Sequence, residues 1–153
     1  MSPLVPYLNV SVTQLRRLFA RLQPPETGQL NGFFRARFIG PFWMRWSGPS
    51  TLSLTGLPGW QGKRFLGNAQ ATNVLKVKGQ ELEALRMTVV PGLSLVDGKA
   101  GIALHYGTEA PRPWRWVRDE LRVIDENTIL GITIVDAPII RHFRFPFVLE
   151  RVS

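Results

Sequence analysis

The residues best suited to chemistry form a short row of alternating charges, Arg118, Glu120 and Arg122, within V-R-D-E-L-R-V. Alternate residues of a β-strand point to one face, so these three side chains share a face opposite Asp119 and Leu121. On an outer face they would form a surface ion-pair row of little energetic value, and such rows are common. On an inner face they would form a polar floor that holds a carboxylate, with Glu120 as a candidate general acid or base.

A second candidate is Arg86, within E-A-L-R-M-T-V-V. It shares a predicted strand face with Leu82, Ala84, Thr88 and Val90. If that face is the inner one, the guanidinium is buried and needs a partner. The partner would be the anionic head group of a ligand, or else a buried ion pair with Glu120 or Asp119.

The chain has two histidines, His105 and His142. Neither stands at a fixed spacing from a carboxylate, so the pattern does not indicate a zinc site. There is also no G-x-S-x-G sequence to present a nucleophilic serine. A single histidine in or beside a strand is more often structural, although His105 also remains a candidate acid or base for a pocket.

Composition places these residues in a globular protein. The chain has 153 residues, of which 44% are hydrophobic and 20% are charged, which predicts a single domain over residues 1–153. We expect residues 1–29 to form a leader and a helix, and residues 30–153 to form a barrel. The chain has no cysteine, which excludes disulfides, thiolate metal sites and a cysteine nucleophile. No signal peptide and no run of about 18 apolar residues is evident, so we expect a cytoplasmic protein.

The formal net charge of +8 raises the prospect of an anionic partner. Residues 33–46 interleave aromatic residues with Arg35, Arg37 and Arg45, a mixture that suits single-stranded nucleic acid or an anionic membrane surface. The favoured interpretation is a core strand whose aromatic side chains point inward while the arginines point to solvent. No recognition-module signature accompanies the stretch.

The elements that must position these residues are mostly strands. Val12, Leu15, Leu18, Phe19 and Leu22 have helical spacing, with Ser11 or Thr13 as the N-cap and Pro24-Pro25 as the stop. Strands are predicted at residues 30–39, 63–66, 71–77, 82–90, 101–106, 119–124, 128–135 and 143–152. The pattern predicts a mainly β protein, an antiparallel sandwich or barrel of about 8–10 strands with a short N-terminal α-helix. A weak signal at residues 50–57 fits a short helix or a loop, and residues 113–118 suit one helical turn.

Two short motifs give the chain a family resemblance. They are G-W-Q-G-K-R-F, starting at Gly59, and the acidic turn with T-I-L-G that ends at Gly131. With them the chain resembles the calycin-like barrels, which include lipocalins, fatty-acid-binding proteins and bacterial lipocalin-like domains of unknown function. Some of those bacterial domains carry G-x-W-x-G before a strand, whereas here Gly59 directly precedes Trp60. The resemblance implies an apolar cavity inside a barrel, and it makes His105 or His142 a candidate axial ligand of haem.

We therefore expect the protein to bind a small apolar or amphipathic molecule, fatty-acid-like, inside the barrel. The predicted ligand-binding residues are Trp60, Arg86, His105, Tyr106, Arg118 and Glu120. One alternative is an isomerase, cyclase or hydrolase that uses Glu120 or His105 in the same pocket. Others are a basic protein that binds nucleic acid or a membrane surface, and a barrel filled by its own side chains. The sequence leaves the oligomeric state open.

Overall fold

A computed structural model describes residues 10–54, 56–138 and 144–152, and its strands close into one antiparallel barrel. Each strand pairs with the next along the chain, and the last pairs with the first. The strands are β1 (Gly32–Phe38), β2 (Trp60–Gly67), β3 (Gln70–Val77), β4 (Gln80–Leu93), β5 (Ala100–His105), β6 (Val117–Asp125), β7 (Thr128–Val135) and β8 (Arg144–Arg151). The prediction of a mainly β barrel is confirmed.

The β6–β7 hairpin forms as its sequence predicts. The Asp125 carboxylate accepts a hydrogen bond from the Asn127 backbone N–H at 2.9 Å, which closes the turn. The turn sets the register, so that Asp119 lies opposite Thr133 and Leu121 lies opposite Gly131. Asp119 therefore shares its face of the sheet with Leu121, and Glu120 points the other way.

Strand alternation divides the apolar residues between an inner and an outer core. The inner core lies inside the barrel and includes Phe34, Phe65, Met87, Leu104, Leu121 and Phe147. The outer core lies between the barrel and the N-terminal helix and includes Leu15, Phe19, Leu130, Ile132, Ile134 and Val148. Strand β7 contributes to both cores, which explains why it is apolar and β-branched almost throughout.

The N-terminal helix α1 (Val12–Arg21) begins at the predicted cap. Ser11 and Gln14 form a reciprocal capping box, in which each side chain accepts a hydrogen bond from the other residue's backbone. Leu15 and Phe19 are buried against the outer face of β7 and β8. Full burial of a side chain of this size contributes about 1.5–3 kcal/mol, which compensates for the shortness of the helix.

A second helix, α2 (Phe42–Leu54), lies between β1 and β2, and the weak signal at residues 50–57 overlaps only its last five residues. It contains Pro49, which cannot donate a backbone hydrogen bond, and Gly48, which has low helix propensity. Its apolar residues also show little amphipathic periodicity. In the described ranges no helix has both the length and the apolar character needed to cross a membrane.

One glycine on the inner face is needed for close packing. A Cβ atom on Gly131 would lie 2.2 Å from the ring of Phe147, well inside van der Waals contact. The missing side chain on β7 therefore lets the Phe147 ring lie across the barrel interior, where it faces the cavity described next.

Candidate functional site: a cavity with a polar inner end

The barrel is hollow beneath α2, with a cavity of about 280 Å³. Most of its lining is apolar or aromatic: Phe38, Met44, Leu52, Leu57, Trp60, Pro113, Trp114, Val117, Val135, Phe145, Pro146 and Phe147. Thr51 and Phe145 also reach solvent and mark its outer end. The alternative of a barrel filled entirely by its own side chains is therefore wrong for this part of the molecule.

A buried ion pair stands at the inner end of the cavity. Lys63 on β2 and Asp119 on β6 are joined by 2.9 Å between Nζ and Oδ2, and their side chains are only 2% and 4% exposed. Lys63 Nζ also lies 3.0 Å from Asn73 Oδ1, 3.3 Å from the Tyr106 hydroxyl and 3.4 Å from Met87 Sδ. Removing two charges from water costs several kcal/mol per ion, and these close partners offset that cost.

Further hydrogen bonds hold the partners of this ion pair in place. Thr133 Oγ1 donates to Asp119 Oδ1 at 2.6 Å, and Trp60 Nε1 donates to Asn73 Oδ1 at 3.0 Å. Asn73 Nδ2 donates to the carbonyl of Leu85 at 3.2 Å. We call Lys63, Asn73, Tyr106, Asp119 and Thr133, all of which line the cavity, the inner polar cluster.

Aromatic rings surround the Lys63 ammonium group. Its Nζ lies 5.5 Å from the ring of Trp60, 5.7 Å from that of Tyr106 and 5.9 Å from that of Phe147. At these distances the electron-rich face of a ring attracts a cation. The charge is thus supported on several sides by groups that also form the cavity wall.

The electrostatics of the inner polar cluster fix its protonation at neutral pH. Burial alone would lower the pKa of Lys63, but the Asp119 carboxylate and Tyr106 outweigh burial and raise it above 10.5. Burial raises the pKa of Tyr106 above 10.0, although the Lys63 ammonium opposes the change. Lys63 is therefore a cation and Tyr106 a neutral phenol near pH 7.

Of the residues predicted to bind a ligand, the structure brings two to the cavity. Trp60 and Tyr106 both line it. Arg86 does not: it is exposed on β4, where its guanidinium donates to Gln70 Oε1 at 3.4 Å. The face that Arg86 shares with Thr88 and Val90 is the outer one, so the idea of an inward-pointing arginine on β4 is wrong.

His105 also lies on the outer face of the barrel and does not line the cavity. It pairs with Thr88 on β4 and with Arg118 on β6, and it is partly buried. Burial and the neighbouring Arg118 charge lower the pKa of His105 below 6.5. The other candidate haem ligand, His142, lies outside the described residues.

The charged row Arg118, Glu120 and Arg122 is on the outer face as well, yet it is largely covered. Glu120 is 2% exposed, accepts hydrogen bonds from Ser94 Oγ and from the Leu95 backbone N–H, and forms a 3.2 Å ion pair with Arg118. The row is therefore neither a solvated surface row nor a cavity floor. The segment between β4 and β5 covers Glu120, and α1 covers Arg122.

The sequence analysis missed four members of the inner polar cluster: Lys63, Asn73, Asp119 and Thr133. A signal for two of them exists. Lys63 stands two residues before Phe65, and Asp119 stands two residues before Leu121. Residues two apart on a strand share a face, so each charged residue lies on the same face as a core residue. Opposite charges at inner positions of different strands predict a buried pair once strand pairing is known.

The described residues hold no group of three or more histidine, cysteine, aspartate or glutamate side chains that could bind a metal ion. The polar groups that line the cavity are ammonium, carboxylate, amide and hydroxyl groups.

Comparison with known proteins supports the fold. The crystal structure of a protein from Thermomonospora curvata superposes with a TM-score of 0.73 and 16% sequence identity, covering 95% of this chain and 90% of that one. At that identity the likeness shows a shared fold. No protein-family model matches the chain. No curated protein matches it either.

Proposed function

We propose that this protein binds a small apolar or amphipathic ligand inside its barrel. The observation that carries the proposal is the cavity of about 280 Å³, apolar along most of its wall and polar at its inner end. Ligand sites in proteins combine a mainly apolar lining with a few polar groups that fix orientation. The volume is just below the usual range of roughly 300–1,000 Å³, which favours a ligand smaller than a long-chain fatty acid.

The placement of polar groups supports the proposal further. Met44 and Leu52 of α2 supply apolar lining at one end of the cavity. At the other end Trp60 donates to Asn73, and the Trp114 ring lies 5.0 Å from that of Tyr106, so both indole rings adjoin the inner polar cluster. A ligand with one polar end would thus have a defined orientation, with its apolar part towards Thr51 and Phe145. We further propose that the barrel is calycin-like, as its strand order and its two short motifs suggest. A cytoplasmic location remains a prediction.

The alternative functions have less support. An enzyme that used Glu120 or His105 would need them in the cavity, and neither lines it. Binding of nucleic acid or an anionic membrane surface remains a prediction from the net charge of +8. Such binding would weaken steeply with added salt, whereas binding of an uncharged ligand in the cavity would not.

Calorimetric titration tests the proposal, using a panel of eight-carbon ligands that differ only in their polar end: octan-1-ol, octanamide, octanoate and octylamine. At least one ligand should bind saturably to one site per chain. Val117→Phe should weaken that binding at least tenfold, because Val117 lines the cavity and a larger side chain fills it. The matched control, Val90→Phe, places the same change on an outer, 36% exposed position and should leave affinity unchanged. Absence of saturable binding to the native protein, or equal binding by both variants, would refute the proposal.

A further inference from the structure

The hydrogen-bond capacity of the inner polar cluster is partly used and partly free. A lysine ammonium has three N–H donors. Those of Lys63 face oxygen atoms of Asp119, Asn73 and Tyr106, and Met87 Sδ lies close by as well. Lys63 therefore has no donor left for a ligand.

Asn73 is also fully engaged. Its Oδ1 accepts from Trp60 Nε1 and from Lys63 Nζ, and its Nδ2 donates to the Leu85 carbonyl and to the Tyr106 hydroxyl. An amide group has two donors and two acceptor positions, and all four are occupied. Asn73 therefore positions its neighbours and has nothing to offer a ligand.

Tyr106 and Asp119 retain free capacity. The Tyr106 hydroxyl oxygen accepts from Lys63 Nζ at 3.3 Å and from Asn73 Nδ2 at 3.2 Å, and its own proton meets no acceptor within the described part of the chain. Asp119 accepts one contact on each oxygen, from Lys63 and from Thr133, whereas a carboxylate has about four acceptor positions. The cavity thus presents one free donor and free acceptor positions near each other.

The net charge at this end of the cavity is zero, because the Lys63 ammonium is matched by the Asp119 carboxylate at 2.9 Å. An ionised carboxylate ligand would lose its water and lie close to Asp119, a like charge, while Lys63 is already occupied. An ammonium ligand could donate to Asp119, but it would lie beside the Lys63 ammonium, a like charge that already neutralises this carboxylate. Neither ionic form gains a partner that compensates for its desolvation.

We propose that the cavity selects uncharged amphipathic molecules, namely alcohols and primary amides, whose polar end accepts a hydrogen bond from Tyr106 and donates one to Asp119. This inference rests on the proposed ligand-binding function and narrows it from fatty-acid-like ligands to neutral ones. Such a group completes the free capacity of both residues without disturbing the ion pair.

The eight-carbon panel tests this selectivity on the native protein. Near pH 7 octanoate is an anion and octylamine a cation, so we expect octan-1-ol and octanamide to bind at least tenfold more tightly than either. Equal or tighter binding of octanoate would overturn the inference while leaving the proposed function intact. If none of the four binds, the proposed function itself fails. 1-Methoxyoctane, which accepts but cannot donate, should bind about tenfold more weakly than octan-1-ol.

Tyr106→Phe tests the donor directly. Loss of the hydroxyl should weaken octan-1-ol binding about tenfold, the effect of one buried hydrogen bond. The matched control is Thr72→Val, which removes another buried hydroxyl, one that does not line the cavity. Unchanged affinity of a folded Tyr106→Phe variant, or an equal loss in Thr72→Val, would contradict the assignment. If Tyr106→Phe does not fold, the comparison of octan-1-ol with 1-methoxyoctane on the native protein decides.

Discussion

Strand β6 contributes to buried ion pairs on both of its faces. Asp119 points into the barrel and pairs with Lys63, whereas Arg122 points outward and pairs with Asp97 at 3.1 Å. The side chains of Lys63 and Arg122 are equally buried, at 2% exposure each. Burial and charge alone therefore do not distinguish the two pairs.

Their surroundings do distinguish them. Arg122 donates to both oxygens of Asp97 and to the carbonyls of Phe19 and Leu22, and its guanidinium lies 4.3 Å from the centre of the Phe19 ring. These contacts tie α1 to the barrel. The inner pair instead borders empty space and neighbours with free hydrogen-bond capacity. A buried charge pair indicates a binding site when cavity volume and free donors or acceptors accompany it.

The largest expected effect comes from breaking the inner pair. Lys63→Met leaves the Asp119 carboxylate buried without its cation, and we expect a loss of about 3–5 kcal/mol in the free energy of unfolding. Urea unfolding measures it. Lys76→Met, at an exposed position on β3, is the control and should change stability by no more than about 0.5 kcal/mol. A loss below about 1 kcal/mol in Lys63→Met would show that the inner pair is not buried as described.

Breaking the outer pair should cost less and leave the cavity unaffected. Arg122→Met removes charge-assisted hydrogen bonds that hold α1 against the barrel. We expect the free energy of unfolding to fall by about 1.5–3 kcal/mol. The Asp97 side chain is 10% exposed and recovers some hydration, which limits the penalty. Calorimetry should show unchanged affinity for octan-1-ol. If ligand affinity fell tenfold in the folded variant, the separation of structural and binding pairs would be wrong.

The outer pair also makes stability depend on acidic pH. Burial tends to raise the pKa of Asp97, but hydrogen bonds from the Lys99 backbone and from Arg122 outweigh burial and lower it below 3.8. A depressed folded-state pKa means that the stabilisation is present above the unfolded value and is lost as pH falls through the folded value. Unfolding measured from neutral pH down to about pH 3 should therefore show a smaller acid-dependent loss in Asp97→Asn than in the native protein. If the free energy of unfolding depended on pH equally in both proteins, the lowered pKa of Asp97 would be contradicted.

His105 should have the smallest effect. Burial and the Arg118 charge lower its pKa below 6.5, so the folded state favours the neutral ring. The contribution of neutral His105 to the free energy of unfolding is present above pH 6.5, and it is lost as the pH falls through the lower pKa of the folded state. His105→Gln should make the free energy of unfolding slightly less sensitive to pH between about 7 and 5, with no change in ligand affinity. A lost affinity would place His105 at the binding site after all.

Much of the fold was predictable because it depends on local patterns. The capping residues of α1, the turn of the β6–β7 hairpin and the division of β6 into two faces all follow from neighbouring residues. Helix α2 was not predictable in this way, because Gly48 and Pro49 lower its intrinsic helix propensity. Its formation depends on packing against the end of the barrel, where Met44 of α2 and Leu57, three residues after the helix, are buried.

The candidate site was less predictable because it depends on strand pairing. Alternation showed that Asp119 and Glu120 point to opposite faces, but it could not say which face is inside. The inner face of strand β4 is harder still to predict. Its pairing register shifts between Ala71 and Asn73 of β3, opposite the point where Leu85 has a φ of 58°. Residues two apart on β4 do not stay on one face when they stand on opposite sides of that irregularity. The spacing of Arg86 from Leu82 and Ala84 therefore could not show whether Arg86 is buried.

A crystal structure of the complex with 8-bromooctan-1-ol tests the central claim most directly, because anomalous scattering locates the bromine atom. We predict a single bromine near Thr51 and Phe145, with the hydroxyl group within hydrogen-bond distance of Tyr106 and Asp119 and the Lys63–Asp119 pair intact. Bromine bound only on the outer surface, or a ligand bound with its hydroxyl towards α2, would contradict the account.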